Sequence, residues 1–290
     1  MWEELREDPT TRVVLVHKSQ VLLAENALVE ISLQDFDQVD QQQSELFYLG
    51  ETTGEGPNTP SGTDFVAVSA DDMHVAAFTQ DSTWHDLKSV GHLLTDRDAG
   101  LATQAIAITN WHATYKFSPA TGIPTELVHG GWARQHGDIQ DFPRTDPAVI
   151  VLVTDKNDRL LMGNNALWES NIYSLLAGFV EPGESLESAV IREVQEEAGL
   201  EVVNPTYLAS QPWPFPRSLM LGFSAELAPG VDPEAIFADG VEIRHLRWFT
   251  REELIANEDK IVFPGHSSIS RVMIEHWLGQ PLDHGSTRDK

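Results

Sequence analysis

The sequence predicts a mixed α+β protein with more than one domain, and three observations carry that prediction. The first hundred residues alternate short β-rich runs with turn chemistry, a helical stretch follows near residues 98–116, and from Pro147 onward apolar strands flank an acidic amphipathic helix. At 290 residues the chain is long enough for about two domains. We divide it into a small β-rich N-terminal domain (1–97), a linking helix with a turn-rich segment (98–146), and a C-terminal domain (147–290).

In the N-terminal domain, strands are expected at Arg12–His17, Gln20–Ala24, Leu46–Leu49 and Phe65–Val68, forming a small antiparallel sheet. The Gly/Pro/Thr-rich tract from Glu51 to Thr63 reads as an exposed loop. The linking helix places Leu101, Ala105 and Ile108 on one face, continued by Trp111 and Tyr115. Asp96 or Asp98 can cap its start, and Ser118-Pro119 ends it. Residues 117–146 carry FSPATGIP, HGG and FPRTDP, so turns and short strands are expected there. The C-terminal domain then reads strand (AVIVLVTD), turn (Lys156–Asp158), strand (RLLMG), loop, acidic helix, a strand near Tyr207 and a Pro-aromatic loop at Gln211–Pro216. The strands LMLGFSAEL and HLRWFT follow, and a helix over about Ser267–Trp277 closes the pattern. No internal repeat is visible.

Composition limits the function. Asp+Glu number 45 against Lys+Arg 19, a formal net charge of -26, which disfavours a protein that holds nucleic acid through its phosphates. A polyanionic substrate must be met by a local basic patch or by a cation held among carboxylates. With 0 cysteines there is no disulfide, thiolate zinc site, iron–sulfur cluster or cysteine nucleophile. The N-terminus MWEELREDPT resembles neither a secretory signal nor a basic transit peptide, and the most apolar run, Ala148–Val153, is far short of a membrane span. A cytoplasmic protein without a membrane partner is expected.

The informative segment is the acidic helix. Ser185 can cap it, Gly199 can end it, Pro182-Gly183 turns the chain before it, and Leu186, Val190 and Val194 form its buried stripe. Glu193, Glu196 and Glu197 share adjoining surface near its C-terminal end, where mutual repulsion and the helix dipole both disfavour anions. A Mg²⁺ or Mn²⁺ ion reverses that argument, because hard cations take carboxylate oxygens and bridge to phosphates.

Gly178, Glu184, Arg192, Glu193, Val194, Glu196, Glu197, Gly199 and Leu200 fit the pattern Gly, five residues, Glu, seven residues, Arg-Glu-aliphatic-x-Glu-Glu-x-Gly-aliphatic. This is the Nudix box, and the chain resembles the Nudix hydrolases, which cleave a nucleoside diphosphate linked to another moiety. The resemblance implies an α/β/α sandwich with a mixed sheet over the C-terminal domain. It also implies that Glu193, Glu196 and Glu197 carry the metals, that Glu184 supports them, and that Arg192 orients the glutamates. Glu197 is the candidate ligand nearest the attacking water and the candidate general base.

A second motif, SQPWPFPRS (Ser210–Ser218), resembles the signature of the NADH pyrophosphatase branch, which includes enzymes acting on NAD-capped RNA. The resemblance implies that Gln211, Pro212, Trp213, Pro214, Phe215, Pro216, Arg217 and Ser218 help bind the dinucleotide. It further implies that the Ala177 carbonyl ligates metal, that Phe179 stacks on a base, and that Phe142 of a partner subunit completes the stack. Glu242 would be a further metal ligand, and the Ser270 backbone would contact substrate. The implied substrates are NADH, NAD⁺ and NAD-capped RNA 5′ ends, cleaved to AMP or its RNA equivalent and NMN(H) by a homodimer. A broader ADP-ribose or nucleotide-sugar diphosphatase and a non-catalytic nucleotide sensor are the alternatives.

One departure stands out. Branch members commonly carry a four-cysteine zinc ribbon, and its slots here fall on Ser118, Thr121, Arg134 and Gly137, with only His129 and His136 nearby. We expect a metal-free, ribbon-like insert, without structural zinc, held by Phe117 and Trp132.

Overall fold

Val13 and Leu15 point to one side of the first strand and Val14 and Val16 to the other, and all four are buried. A strand of this kind needs cover on both faces, and in the computed structural model it has it. The structure describes residues 1–282 except 41, 57–58, 170 and 258–259. The last eight residues of the expected C-terminal domain and two of the expected 51–63 loop therefore lie outside the described residues. The chain forms two units, Met1–Thr145 with Pro214–Arg217, and Asp146–Trp213 with Ser218–Lys290.

In the first unit, β1 (Arg12–His17), β2 (Gln20–Ala24), β3 (Ala27–Leu28), β4 (Ile31–Ser32), β5 (Leu46–Glu51), β6 (Asp64–Ser69) and β7 (Thr83–Asp86) form one seven-stranded sheet. The expected antiparallel sheet is corrected in one place. β1 and β6 pair in parallel, because the β5–β6 hairpin returns β6 to the side of β1 running the same way. Nor is the unit almost all β. Helices α1 (Trp2–Glu7), α2 (Leu33–Val39) and α3 (Asp72–Phe78) lie among its elements, with Leu5 and Phe36 packing on Val13 and Leu15. The short α2 and α3 are capped by side chains: Ser32 accepts from Asp35 N–H, and Asp71 from Met73 and His74 N–H, whereas α1 has no side-chain cap.

After the one-turn α4 (Leu87–Val90), α5 (Asp96–Thr114) covers the other face of the sheet, burying Leu101, Ala105 and Ile108 against Val14 and Val16. Its N-cap is Thr95 rather than either aspartate. Asp98 is instead buried, accepting from Leu28 N–H at 3.1 Å and pairing with Arg97 at 2.7 Å. The 51–63 tract is less solvated than its composition predicts, since Thr52, Thr59 and Thr63 are buried and Thr59 bonds both Glu30 and Arg97.

β8 (Glu126–Val128), β9 (Ala133–His136) and β10 (Ile139–Asp141) make a separate antiparallel ribbon. Phe117 does not hold it: that ring is 59% exposed. Trp132 contributes through its indole N–H, which donates to Tyr48 O at 2.7 Å. The buried anchor is Arg134, one of the former cysteine slots. Its guanidinium donates to Thr125 Oγ1 (2.8 Å), His112 Nδ1 (2.8 Å), Glu45 Oε1 (3.2 Å) and Thr125 O (3.2 Å). A guanidinium only donates, so His112 Nδ1 accepts and its Nε2–H donates to Gly131 O at 2.7 Å. Burial of His112 pushes its pKa down to about 4, consistent with this neutral tautomer.

The second unit is a sandwich about one mixed sheet. β11 (Asp146–Thr154) runs parallel to β15 (Ser218–Leu227) and antiparallel to β12 (Leu160–Asn165) and β13 (Leu176–Phe179). β14 (Val202–Trp213) and β16 (Ile243–Phe249) complete it. Val149, Val151 and Val153 face α6 (Leu186–Ala198), while Ile150 and Leu152 face α7 (Arg251–Ala256) and α8 (Ile269–Leu278). This is the α/β/α arrangement the resemblance implies, and the central strand is apolar and buried over Ala148–Val153, where both of its faces are covered.

Candidate active site

The acidic helix folds as its local sequence dictates. Ser185 accepts from Ser188 N–H at 3.1 Å, and Gly199 ends α6 at φ +69°, a conformation that costs glycine little. Val190, Val194 and Ala198 are fully buried, and this fixes which face turns to the sheet. At the margin of that stripe, Glu193 and Glu197 are also buried, at 8% and 6% exposure, whereas Glu196 lies open to solvent.

Arg192 organises the cluster. It grips Glu184 with two bonds of 2.9 Å, reaches Glu193 at 2.8 Å and Glu196 at 3.0 Å, and donates to Phe179 O at 2.9 Å. The guanidinium holds the Glu184 carboxyl below its usual range. Burial pushes Glu193 upward, against the pull of Arg192. Burial, then the charges of Glu193 and Glu242, push Glu197 up to about 8, only partly opposed by a hydrogen bond from the Ala177 backbone. Glu197 Oε2 is buried and has no hydrogen-bond partner. Gly178 leaves room for the cluster: a Cβ there would come within 2.0 Å of the Glu193 carboxyl carbon.

The other expected residues divide between the units. Ala177 lies on β13, Phe179 ends it 59% exposed, and exposed Glu242 precedes β16 in the second unit. Gln211 is committed structurally, since its amide donates to Ser267 O (2.7 Å) and accepts from Ile269 N–H (2.8 Å) at the start of α8. Ser270 is buried, with its hydroxyl 2.8 Å from that of Ser174. Pro212 and Trp213 end β14, and Ser218 opens β15.

Pro214–Arg217, the tip of the Pro-aromatic motif, belong to the first unit. There Pro214 O accepts from Asn110, the Lys88 ammonium lies 4.6 Å from the Phe215 ring centre, and Pro214, Phe215 and Pro216 line a cleft of about 730 Å³ with Lys18 and Lys88. Phe142 also lies in the first unit, 57% exposed. Sequence reasoning missed Asp239, whose carboxylate is bonded to the loop that carries Glu242. The Asp-Gly pair at 239–240 is the turn signal that could have found it.

A profile described as "NUDIX domain" matches residues 144–271, and one described as "NADH pyrophosphatase-like rudimentary NUDIX domain" matches residues 10–111. The chain is 41% identical over 285 residues to the NAD-capped RNA hydrolase NudC of Mycobacterium bovis (strain BCG / Pasteur 1173P2), covering 94% of this chain and 85% of that protein. The chain belongs to the Nudix hydrolases, in their NADH pyrophosphatase branch. Other members similar to it include the NudC enzyme of Mycobacterium tuberculosis (strain ATCC 25177 / H37Ra), 40% identical over the same span, again with 94% of this chain and 85% of that one. An NAD-capped RNA hydrolase of Homo sapiens is 36% identical over 203 residues, covering 64% of this chain and 43% of the human protein.

Nudix hydrolases use divalent metals, so the fit of this site to one matters. Among the described residues, no three His, Asp or Glu side chains are grouped closely enough to hold an ion as they stand, and Arg192 engages two of the carboxylates. Three features nevertheless suit a hard cation: an all-oxygen donor set, the unpartnered buried oxygen of Glu197, and the mutual repulsion of Glu193, Glu197 and Glu242.

Proposed function

We propose that this Nudix hydrolase cleaves the pyrophosphate of NADH and NAD⁺, and of NAD at the 5′ end of RNA, by adding water across one phosphoanhydride bond. Free dinucleotide then gives AMP and NMN(H), and capped RNA gives NMN and a 5′-monophosphate end. The observation that carries this reading is the identity with an NAD-capped RNA hydrolase across 94% of the chain, together with a complete acidic box around Arg192.

In this reading Glu193, Glu196, Glu197, Glu242 and the Ala177 carbonyl hold Mg²⁺ or Mn²⁺. Such ions neutralise pyrophosphate charge and lower the pKa of a bound water. Arg192 keeps Glu184, Glu193 and Glu196 aligned, and Glu197, whose buried Oε2 has no hydrogen-bond partner, is the residue that, once ionised, would take a proton from the attacking water. Phe179 and a partner subunit's copy of Phe142 offer exposed rings for stacking on a base. Gln211, Pro212, Trp213, Pro214, Phe215, Pro216, Arg217, Ser218 and Ser270 complete the substrate-binding set, with Gln211 and Ser270 acting through the α8 start that they fix. We read the enzyme as a cytoplasmic homodimer in which the ribbon needs no zinc. No helix among the described residues is long and apolar enough to cross a membrane.

The test is NADH or NAD-capped RNA incubated with Mn²⁺ or Mg²⁺ and followed chromatographically, repeated with Glu197→Gln. The expected result is release of NMNH or NMN by the wild type and its near-complete loss in the variant. Faster cleavage of ADP-ribose than of NADH would overturn the substrate assignment, and binding without turnover would make the protein a sensor.

A further inference from the structure

Residues 239–243, which carry Glu242, are built around one side chain. Asp239 Oδ1 accepts from the N–H groups of Val241 (3.1 Å), Glu242 (3.2 Å) and Ile243 (2.8 Å), and Oδ2 lies 3.1 Å from the Glu242 N. Gly240 turns the chain at φ +74° and donates to Ile243 O at 3.0 Å. The carbonyl of Glu242 is fixed from its other side, accepting from Ala166 N–H at 2.8 Å. Both backbone groups of Glu242 are thus tied down, although its side chain is exposed and makes no ion pair among the described residues.

Asp239 adds a negative charge beside a site where Glu197 already feels those of Glu193 and Glu242. Burial alone would raise the Asp239 pKa, but the N–H groups of Ile243, Glu242, Val241 and Gly240 outweigh it, and the group stays ionised. An oxygen saturated by three backbone donors is a poor cation ligand, whereas a carboxylate used this way sets loop shape firmly.

We propose that Asp239 is a positioning residue of the metal centre: its carboxylate shapes residues 240–243 so that Glu242 is presented to the cluster of Glu193 and Glu197, and it ligates nothing itself. This rests on the reading of Glu242 as a metal ligand. Outer groups that orient metal ligands commonly govern affinity by ten- to a hundredfold, which makes the inference measurable without turnover.

The experiment is Mn²⁺ binding to the full-length, metal-stripped protein without substrate, read from loss of the free-ion electron paramagnetic resonance signal. Thermal melts establish that each variant is folded. Glu242→Gln and Asp239→Ala are each expected to weaken Mn²⁺ binding about tenfold. Asp239→Asn keeps an acceptor oxygen and should restore most of the loss. Gly240→Ala, which strains the same turn without touching a carboxylate, should weaken binding in the same direction and serves if Asp239→Ala does not fold. Wild-type binding by folded Asp239→Ala, with Glu242→Gln impaired, overturns the positioning role alone. Equal loss in Asp239→Asn and Asp239→Ala overturns it too, by making the charge rather than the turn essential. Wild-type binding by Glu242→Gln removes the ligand reading, and the proposal falls with it.

Discussion

Replacing Glu197 by Gln should stabilise the metal-free protein, and by more as the pH rises. The Glu197 carboxyl has its pKa raised from 4.5 to about 8 in the folded chain, chiefly by burial and then by the charges of Glu193 and Glu242. Between those two values the folded state binds a proton that the unfolded state has released. Stability is therefore present in full below pH 4.5 and is lost progressively as the pH rises toward 8. The span of roughly three and a half pH units, at about 1.4 kcal/mol each, sets a ceiling of about 5 kcal/mol, of which about 3 kcal/mol is already lost at pH 7. Glutamine keeps the shape and never ionises, so it escapes the loss. The assay is urea unfolding in chelator at pH 5, 7 and 9. Wild type and Glu197→Gln should lie close together at pH 5 and separate in favour of the variant at pH 9, and Mn²⁺ at pH 8 should rescue the wild type but not the variant. Stability curves that run parallel across this range would refute the reasoning.

Three more substitutions test individual side chains or positions. Gly178→Ala pushes a methyl into the Glu193 carboxyl and should cost roughly a hundredfold in kcat/KM through misplacement of that group; wild-type turnover would contradict it. Arg134→Met strips a buried polar network and should lower unfolding stability by about 3–5 kcal/mol, with Arg134→Lys unable to restore the branched contacts; an unchanged urea midpoint would refute this. Gln211→Ala removes the two hydrogen bonds that its amide makes to Ser267 O and Ile269 N–H and should cost about 1–3 kcal/mol, seen as a lower urea midpoint; an unshifted midpoint would mean that the start of α8 is held by other contacts.

The parts legible in the sequence were those governed by local physics. The apolar run at Ala148–Val153 read as a strand and is one, and Ser185 and Gly199 bounded α6 as their side-chain chemistry requires. The sequence set Glu193, Glu196 and Glu197 on adjoining surface without separating them; the structure buries Glu193 and Glu197 beside the Val190 and Val194 stripe and leaves Glu196 exposed. What escaped was set by distant partners. Nothing local makes β6 parallel to β1, and Asp98 looks like a helix cap until Leu28 and Arg97 claim it. Arg134 shows in the sequence only as a zinc-ribbon slot without its cysteine, and its buried role appears only when His112, Thr125 and Glu45 converge on it from elsewhere in the chain. The short helices α1, α2 and α3 have too few residues for a periodic signal.

The assignment of Pro214–Arg217 to the first unit bears on how the chain is made. A ribosome that has released residue 145 has emitted every strand of the first sheet, yet not the Phe215 ring that packs on its core. That surface is completed only after the acidic helix and all of β14 have been synthesised. The Phe215 face of the N-terminal core is therefore covered only late in synthesis, and a fragment ending at Thr145 should resist proteolysis less well than the same residues within the full chain.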